Sequence, residues 1–508
     1  MKIKLLFSPR FHCDPNDYRP INPPFFPPLG ISVLKTYMEE RGYDVDLDDI
    51  DIKTAHANMK GQKIDLKIFL DERRVERYLG PNEDPEFDEL ARKIVRLTDL
   101  KGYDVAGLSL MPTDNPSSAG VAGAIGKVIK EDFGAMVIIG GSVEERVERK
   151  LLASGYVDFR ILGHPTTSIG EVNLLRFCRE YERGTDLKTV IGTTYVKDGR
   201  YVCNSKEYPK EDETLITKPT FDGLPMELYT KTLTRGVDGA DKSHPVLVLP
   251  YYFIRGCPNR CAFCSIPMSK YWKPKDPETA ALEIKELARK FRTRYFYFHN
   301  ATINPTYEYA TDFAEAMIRH DVDVLWSDCA NINPMDEKLI AQLRQAGAAR
   351  FVFGFESANP HILSYIRKNF TLDDAERVLK LCHKHDVWPE LDMICGFPYE
   401  TEFSAECTKK FITKNKKYIG ACSLNMFWLE GEFRKYPGRY GINFNQDSSN
   451  THTNWSVNSF NETYGLKWDE KIEQTKRSFA ELEKFIYSNF ERAPDIHNLF
   501  FNMWLKGR

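Results

Sequence analysis

Six strand-like runs alternate with amphipathic helical segments over residues 241–435. The strand-like runs are 245–254, 295–298, 324–327, 351–355, 390–394 and 422–429. The helical segments include 279–290, 307–319, 337–346, 372–385 and 404–415. Strands that alternate with helices form parallel sheets, because each helix returns the chain across the sheet. Six such units predict a partial (β/α)6 barrel, with reactive groups at the carboxyl ends of its strands.

Three cysteines follow the first of these strands, Cys257, Cys261 and Cys264, with the spacing CxxxCxxC. Three thiolates on one short loop suit three irons of a [4Fe–4S] cube, whereas four cysteines close such a cluster. An open coordination position is where a metal centre performs chemistry. The alternative is a zinc knuckle, which needs a further Cys or His nearby. The nearest histidines, His244 and His299, lack that spacing.

This spacing, with an aromatic residue directly before the last cysteine, resembles the radical S-adenosylmethionine (SAM) superfamily. The resemblance implies that the three cysteines hold a [4Fe–4S] cluster and that SAM binds its fourth iron. It also implies an external electron donor, whose electron splits SAM into methionine and a 5′-deoxyadenosyl radical.

Segments after the strands match positions that the superfamily uses for SAM. The implied SAM-binding residues are Phe263, Asn300, Glu356, Ser357, Lys368, Gly396 and Pro398. Glu356 would face the ribose or amino group, and Lys368 the carboxylate. An N-cap or ion pair for Glu356, and a surface ion pair for Lys368, are the alternatives. Tyr399 stands where the superfamily usually has glycine, so the turn after Gly396 is expected to differ locally.

Residues 1–165 also alternate, with strands expected at 2–8, 43–49, 105–110 and 136–139 and helices at 31–41 and 119–131. This predicts a doubly wound, Rossmann-like parallel sheet that binds ligands at its carboxyl edge. The loops resemble the cobalamin-binding domain that precedes many radical SAM cores. The matching residues, which would bind cobalamin as methylcobalamin, are Pro28, Leu29, Gly30, Ser109, Gly140 and Gly141. The segment Ile161-Leu162-Gly163-His164 stands where that family often reads Gly-Glu-Gly-Glu. Any flavodoxin-like domain is the alternative, since Gly-Gly after a strand is a weak signal by itself.

His12 lies in the loop after the first strand, although the chain lacks the Asp-x-His-x-x-Gly motif of base-off cobalamin enzymes. A neutral imidazole is a competent ligand for cobalt. His12 is therefore a candidate axial ligand, with a surface-loop histidine as the alternative.

Length and composition limit the remaining possibilities. The 508 residues predict a cobalamin-binding domain (1–165), a linker (166–240), the radical SAM barrel (241–435) and a small C-terminal domain (436–508). A net charge of −3 argues against nucleic acid as a partner. The apolar run at residues 1–10 is too short for a signal peptide, and no apolar run is long enough to span a membrane, so a cytoplasmic location is expected. The remaining cysteines are scattered, which argues against a second cluster and a disulfide framework.

The whole combination resembles cobalamin-dependent radical SAM methyltransferases. That resemblance implies methylation of an unactivated sp³ carbon. A peptide or protein substrate is expected, with the glutamine α-carbon of methyl-coenzyme M reductase as the specific hypothesis. The alternatives are cyclisation or oxidation by the same radical, an N-terminal domain used only for recognition, and a non-enzymatic iron–sulfur protein.

Overall fold

The computed structural model describes residues 1–9, 26–113, 116–143, 145–163, 169–204, 216–230, 233–235, 241–243, 246–266, 272–444, 459–490, 499–500 and 503. His12 and His164 lie outside the described residues. The chain divides into two compact units. The first comprises Met1–Arg235 and Gly239–Pro250, and the second Gly236–Asp238 and Tyr251–Arg508.

A seven-stranded sheet forms the centre of the first unit. Its strands are β1 (Lys2–Phe7), β2 (Asp44–Asp49), β3 (Val105–Thr113), β4 (Met136–Val143), β5 (Phe159–Ile161), β6 (Thr193–Lys197) and β7 (Arg200–Cys203). They lie in the order β2-β1-β3-β4-β5-β6-β7, and the first five are parallel. The order reverses between β1 and β3, the switch point where such sheets bind ligands. The predicted parallel sheet is confirmed.

Helices connect strands β1 to β6 of this sheet. They are α1 (Leu29–Glu39), α2 (Ile50–Met59), α3 (Glu72–Tyr78), α4 (Pro85–Val95), α5 (Pro116–Phe133), α6 (Glu145–Ala153) and α7 (Ile169–Glu182). Helix α5 packs closely through glycines. A Cβ at Gly123 would lie 2.7 Å from a methyl of Leu79, and one at Gly126 would lie 2.6 Å from the Tyr156 carbonyl oxygen. A larger residue at either position would push the helix off its neighbours.

The segment predicted as a linker, 166–240, contributes regular structure to the first unit. It contains α7 and the β6–β7 hairpin, which extends the sheet antiparallel to β5. The hairpin turns at Asp198 and Gly199, both with positive φ. A small antiparallel pair, β8 (Leu233–Arg235) and β9 (Asp241–Ser243), follows. The four-part domain division stays a prediction.

An open six-stranded sheet organises the second unit. Its strands, in their order across the sheet, are β10 (Val248–Tyr251), β13 (Tyr295–Phe298), β14 (Leu325–Ala330), β15 (Ala348–Glu356), β16 (Trp388–Cys395) and β17 (Ala421–Met426). Between β10 and β13 the chain forms a separate short pair, β11 (Ile254–Arg255) and β12 (Lys273–Pro274). Strand β10 spans the division between the two units. Strands β13 to β17 are parallel. Because β10 and β17 stay unpaired with each other in the described chain, the predicted partial barrel is confirmed.

The helices of the second unit are α8 (Pro277–Phe291), α9 (Tyr307–Arg319), α10 (Glu337–Gln345), α11 (Pro360–Tyr365), α12 (Leu372–Lys384), α13 (Glu402–Asn415), α14 (Gly431–Lys435) and α15 (Trp468–Asn489). The helices that connect the strands pack on one face of the sheet, and the opposite, concave face is the inner face. Aromatic rings fill the layer between sheet and helices. Phe253 stacks on Phe313 at 4.5 Å, and Trp326 stacks on Phe298 at 5.2 Å. Strand residues alternate between the two faces, so the inner face carries the intervening side chains.

The C-terminal segment packs against the end of β16. It contains the antiparallel pair β18 (Ile442–Phe444) and β19 (Phe460–Glu462) and helix α15. The buried Lys471 of α15 donates to the Glu400 carbonyl oxygen at 2.8 Å and pairs with Glu462 at 3.0 Å. A Cβ on Gly396 would lie 2.6 Å from Thr475. Among the described helices of the chain, none is long and apolar enough to cross a membrane.

Candidate functional site

The cysteine loop is fixed by segments that come much later in the chain. It leaves β11 through Gly256, whose φ is +77°. The Ala262 N–H donates to the Ile366 carbonyl at 3.0 Å. In turn the Ala262 carbonyl accepts from the N–H groups of Glu432, at 2.8 Å, and Phe433, at 3.4 Å. These backbone contacts hold the three thiols on one preformed loop.

Gly431 makes this close approach possible. Its φ is +61°, and a Cβ there would lie 2.6 Å from the Cys264 carbonyl oxygen and 2.7 Å from that of Ala262. Both distances are far below van der Waals contact, and the atoms are backbone atoms that cannot rotate away. Only glycine fits against the loop at this position.

The three loop cysteines are half-buried and free of disulfides. Burial raises the pKa of Cys257 to about 11, opposed by the Asn259 N–H and Lys368. Burial also raises the pKa of Cys264. Such thiols bind metal only with loss of a proton, which iron itself favours. Within the described residues no three His, Cys, Asp or Glu side chains converge on one metal ion. A cubane spreads its thiolates over separate irons, so the donor set fits a cluster better than a single zinc ion.

A buried ion pair lies beside the loop. Lys368 Nζ is 3.0 Å from Glu356 Oε1, and it lies 5.8 Å from the centre of the Phe263 ring. Burial lowers the pKa of Lys368, but the Glu356 carboxylate and the Cys261 thiol outweigh burial, so the pKa is raised overall. The structure therefore brings together the predicted Phe263, Glu356 and Lys368 and keeps the lysine charged.

Glu356 carries two marks of a ligand-binding residue. Its φ is +63°, and the register of β15 against β16 shifts between Gly354 and Glu356. Its Oε2 is buried and has no hydrogen-bond partner among the described residues. Strained backbone and an unsatisfied buried oxygen are costly unless a ligand uses them. The neighbouring Ser357 Oγ accepts from the Asn359 N–H at 3.1 Å, so this hydroxyl shapes the turn after β15.

Asn300 is engaged by the protein on both ends of its amide. Its Oδ1 accepts from the N–H groups of Phe253 and Ile254, both at 2.9 Å, and its Nδ2 donates to Asp328 at 2.7 Å. Burial raises the pKa of Asp328 well above its usual value. This geometry favours a bracing role between strands, and the predicted contact of Asn300 with SAM stays a prediction.

The turn after β16 closes around a buried carboxyl. Glu400 Oε2 accepts from the N–H groups of Gly396, at 2.5 Å, and Phe397, at 3.1 Å. Tyr399 adopts φ +61° and donates its N–H to Glu462 at 2.6 Å, so the expected local difference takes the form of a left-handed residue anchored from β19. Beside it Pro398 is buried. Phe397 packs edge-on against Phe263 at 5.4 Å, giving this end of the site an apolar wall.

At the carboxyl edge of the first unit's sheet, three predicted residues lie on neighbouring strands. Ser109 pairs with Gly140 across β3 and β4, and its carbonyl accepts from the Ser8 N–H at 3.2 Å. A Cβ at Gly140 would meet nothing within 4 Å. Gly141, with φ +97°, would place a Cβ 2.0 Å from the Leu110 carbonyl oxygen, so only glycine fits. The edge is bare backbone that a bulky ligand can approach.

Pro28, Leu29 and Gly30 form the start of α1, the helix that follows β1. Ser32 Oγ donates to the Pro28 carbonyl at 2.8 Å and fixes this end. Gly30 is exposed, and a Cβ there would meet nothing within 4 Å. Because the helix after a parallel strand begins at the strand's carboxyl edge, these residues share the edge with Ser109 and Gly140.

The inner face of the second unit's sheet carries polar residues that sequence analysis did not single out. Arg350 pairs with Glu390 at 3.0 Å, and Asp392 accepts from Asn425 at 2.8 Å. His299 lies exposed on the same concave wall. The signal was available, because charged residues at every second position of an otherwise apolar strand point to a polar inner face.

Residues 251–412 match the model of the Radical SAM superfamily. An uncharacterized methyltransferase of Pyrococcus horikoshii is 26% identical over 365 residues, covering 70% of this chain and 72% of that protein. The anaerobic magnesium-protoporphyrin IX monomethyl ester cyclase of Rubrivivax gelatinosus is 28% identical over 250 residues, covering 47% of this chain and less than half, 43%, of the cyclase.

Among solved structures the chain is similar to TsrM from Kitasatospora setae, a radical SAM methyltransferase solved with cobalamin and a [4Fe–4S] cluster bound. The TM-score is 0.56 at 16% identity, over 84% of this chain and 72% of TsrM. This likeness shows a shared fold. The second unit thus contains a radical SAM domain, the kind of catalytic domain that uses a [4Fe–4S] cluster and SAM.

Proposed function

We propose that this chain is a cobalamin-dependent radical SAM methyltransferase that adds a methyl group to an unactivated sp³ carbon. The observation that carries the proposal is the preformed three-cysteine loop with the buried Lys368–Glu356 pair beside it, 3.0 Å apart. Support comes from the shared fold with TsrM and from the methyltransferase relative of Pyrococcus horikoshii.

In this proposal Cys257, Cys261 and Cys264 hold the cluster. The unpartnered Oε2 of Glu356 accepts a hydrogen bond from SAM, and Lys368 offers a cation to the SAM carboxylate. When bound, the cluster and SAM would supply a radical for hydrogen abstraction, and an external donor would supply the electron. The protein positions the reacting groups and excludes water from the concave inner face.

Cobalamin, as methylcobalamin, is assigned to the carboxyl edge of the first unit's sheet, at Pro28, Leu29, Gly30, Ser109, Gly140 and Gly141. The bare backbone at Gly30 and Gly140 supports this assignment, because a corrin needs room there. His12 is proposed as the axial cobalt ligand.

For the substrate we propose a peptide or protein, specifically the glutamine α-carbon of methyl-coenzyme M reductase, with a cytoplasmic location. The polar inner face at His299, Asp392 and Asn425 supports a peptide, since polar side chains and an amide satisfy each other's hydrogen bonds. A flat tetrapyrrole would favour apolar walls.

Anaerobic purification with hydroxocobalamin, followed by iron and cobalt analysis and visible spectroscopy, tests both cofactors. The expected result is one cubane cluster and one corrin per chain, with SAM cleavage under reduction and one added methylene on a peptide bearing the target glutamine. Cys261→Ala should lose the cluster, whereas Cys407→Ala, a half-buried cysteine on α13, should retain it. Iron without cobalt would overturn the methyltransferase proposal.

A second candidate is cyclisation or oxidation by the same radical, which the similarity to the cyclase favours. Mass spectrometry separates the two activities. A methyltransferase adds a methylene to its product, whereas a cyclase or oxidase removes hydrogen or adds oxygen.

A further inference from the structure

Asp392 differs from Glu356 and Glu390 because no cation among the described residues pairs with it. Glu390 is paired with Arg350 at 3.0 Å, and Glu356 with Lys368 at 3.0 Å. Asp392 Oδ1 instead accepts from two neutral donors, Ser423 Oγ at 3.1 Å and Asn425 Nδ2 at 2.8 Å. Arg350 and Lys368 are therefore already committed to other carboxylates.

The position of Asp392 places it where a substrate can reach it. Its strand neighbours Leu391 and Met393 are buried on the helix side, so Asp392 faces inward, and it is only half-buried. Across the sheet it pairs with Gly354, which has no side chain to cover it, and with Ser423. Glu356, with its unpartnered Oε2, follows two residues after Gly354 on that neighbouring strand.

The chemistry offered here is two acceptors side by side. Ser423 and Asn425 both donate to Oδ1 of Asp392, and Oδ2 has no hydrogen-bond donor within the part of the chain that the structure describes. Asn425 donates through Nδ2, which leaves its Oδ1 as a second acceptor on the exposed inner face. A group with several N–H donors satisfies both, whereas a carboxylate would be repelled by the charge of Asp392.

We infer that Asp392 and Asn425 are specificity-determining residues that bind the nitrogen end of the substrate side chain and reject a carboxylate there. The shared chemistry is an N–H₂ or ammonium group, so a side-chain carboxamide and a side-chain amine are both candidates. This inference rests on the proposed function, since it places the substrate of the radical SAM domain on the inner face.

The test uses the SAM-loaded holoenzyme and three peptides that differ only at the target position, carrying glutamine, glutamate or ornithine. Binding is followed by fluorescence anisotropy and modification by mass spectrometry. The wild type should bind the glutamine or ornithine peptide at least about tenfold more tightly than the glutamate peptide, the size of one hydrogen bond to a charged group. Asp392→Asn should shrink or invert that ratio, because its amide can donate to a carboxylate. Because the ratio compares peptides on the same protein variant, any loss of that variant's stability or cluster affects all the peptides equally and cancels.

Asp373→Asn is the matched control, since Asp373 is an exposed residue in the first turn of α12 and should leave the ratio unchanged. Preference for glutamine over ornithine identifies a carboxamide, and the reverse an amine. Equal binding of nitrogen-bearing and glutamate peptides, or no binding of any, overturns the inference. Selective binding without an added methylene would keep the inference and overturn the methyl transfer.

Discussion

The Lys368–Glu356 pair should behave as a coupled unit, and a double-mutant cycle can measure the coupling. At the observed separation of 3.0 Å, the attraction amounts to about 5.5 kcal/mol at an effective dielectric constant of about 20. Desolvation of both groups offsets much of that attraction. Removing one partner leaves the other charge buried alone, so Lys368→Met should lower the free energy of unfolding by about 3–5 kcal/mol.

Adding Glu356→Gln to Lys368→Met should recover part of this loss, because no uncompensated charge then remains. The double variant is therefore expected to be more stable than Lys368→Met alone. The assay is anaerobic urea unfolding of the four proteins, with m-values compared to check that the transitions are alike. Lys476→Met, which breaks an exposed pair with Glu473, is the control and should change little. Strictly additive losses from the two substitutions would refute the coupling and with it the buried-pair account.

Three further results are expected. Gly431→Ala should abolish iron incorporation, because its Cβ would collide with the cysteine loop. Gly438→Ala, whose Cβ meets nothing within 4 Å, should incorporate iron normally. Equal iron content of the two variants would contradict this prediction. Tyr399→Phe should cost about 1 kcal/mol in thermal unfolding by losing its hydrogen bond to the residue 441 carbonyl, and an unchanged Tm would argue against that bond. Burial raises the pKa of Glu400 from 4.5 to about 7. Between these two pH values the folded protein keeps a proton on Glu400 that the unfolded chain has lost. The free energy of unfolding should therefore fall by about 3 kcal/mol as pH rises from 4.5 to about 7. Glu400→Gln should flatten this dependence, and a wild-type stability that rises over the same interval would reverse the sign of the argument.

Elements with strong local signals were predictable from the sequence. The strand Tyr295–Phe298 and the helix Tyr307–Arg319 have the predicted bounds, because an aromatic run defines the strand and Thr306 caps the helix. Helices α2, α3 and α4 were not predicted. They are short and charged, and they are stabilised by packing against the sheet and α5, which a local pattern does not reveal.

The cysteine loop could be predicted because the spacing of its cysteines is a local pattern. The features that turn this loop into a binding site are not local and could not be predicted. The positive φ of Glu356 and the burial of Lys368 are imposed by tertiary contacts. From the sequence pattern alone, Glu356 would lie at an ordinary strand end and Lys368 on the surface. Gly431 carries no motif either, since its requirement comes from backbone atoms of a loop far away in the chain.

The backbone contacts of Ala262 also bear on when the protein matures during synthesis. The loop's partners include Ile366, Glu432 and Phe433, so the ribosome must add about 170 residues after the cysteines before the loop can take its final form. At roughly 5–20 residues per second, that interval lasts on the order of ten to thirty seconds. Until then the loop lacks the contacts that fix it, so a chaperone or cluster carrier acting on this protein would deliver its cargo only after residue 433 has been synthesised.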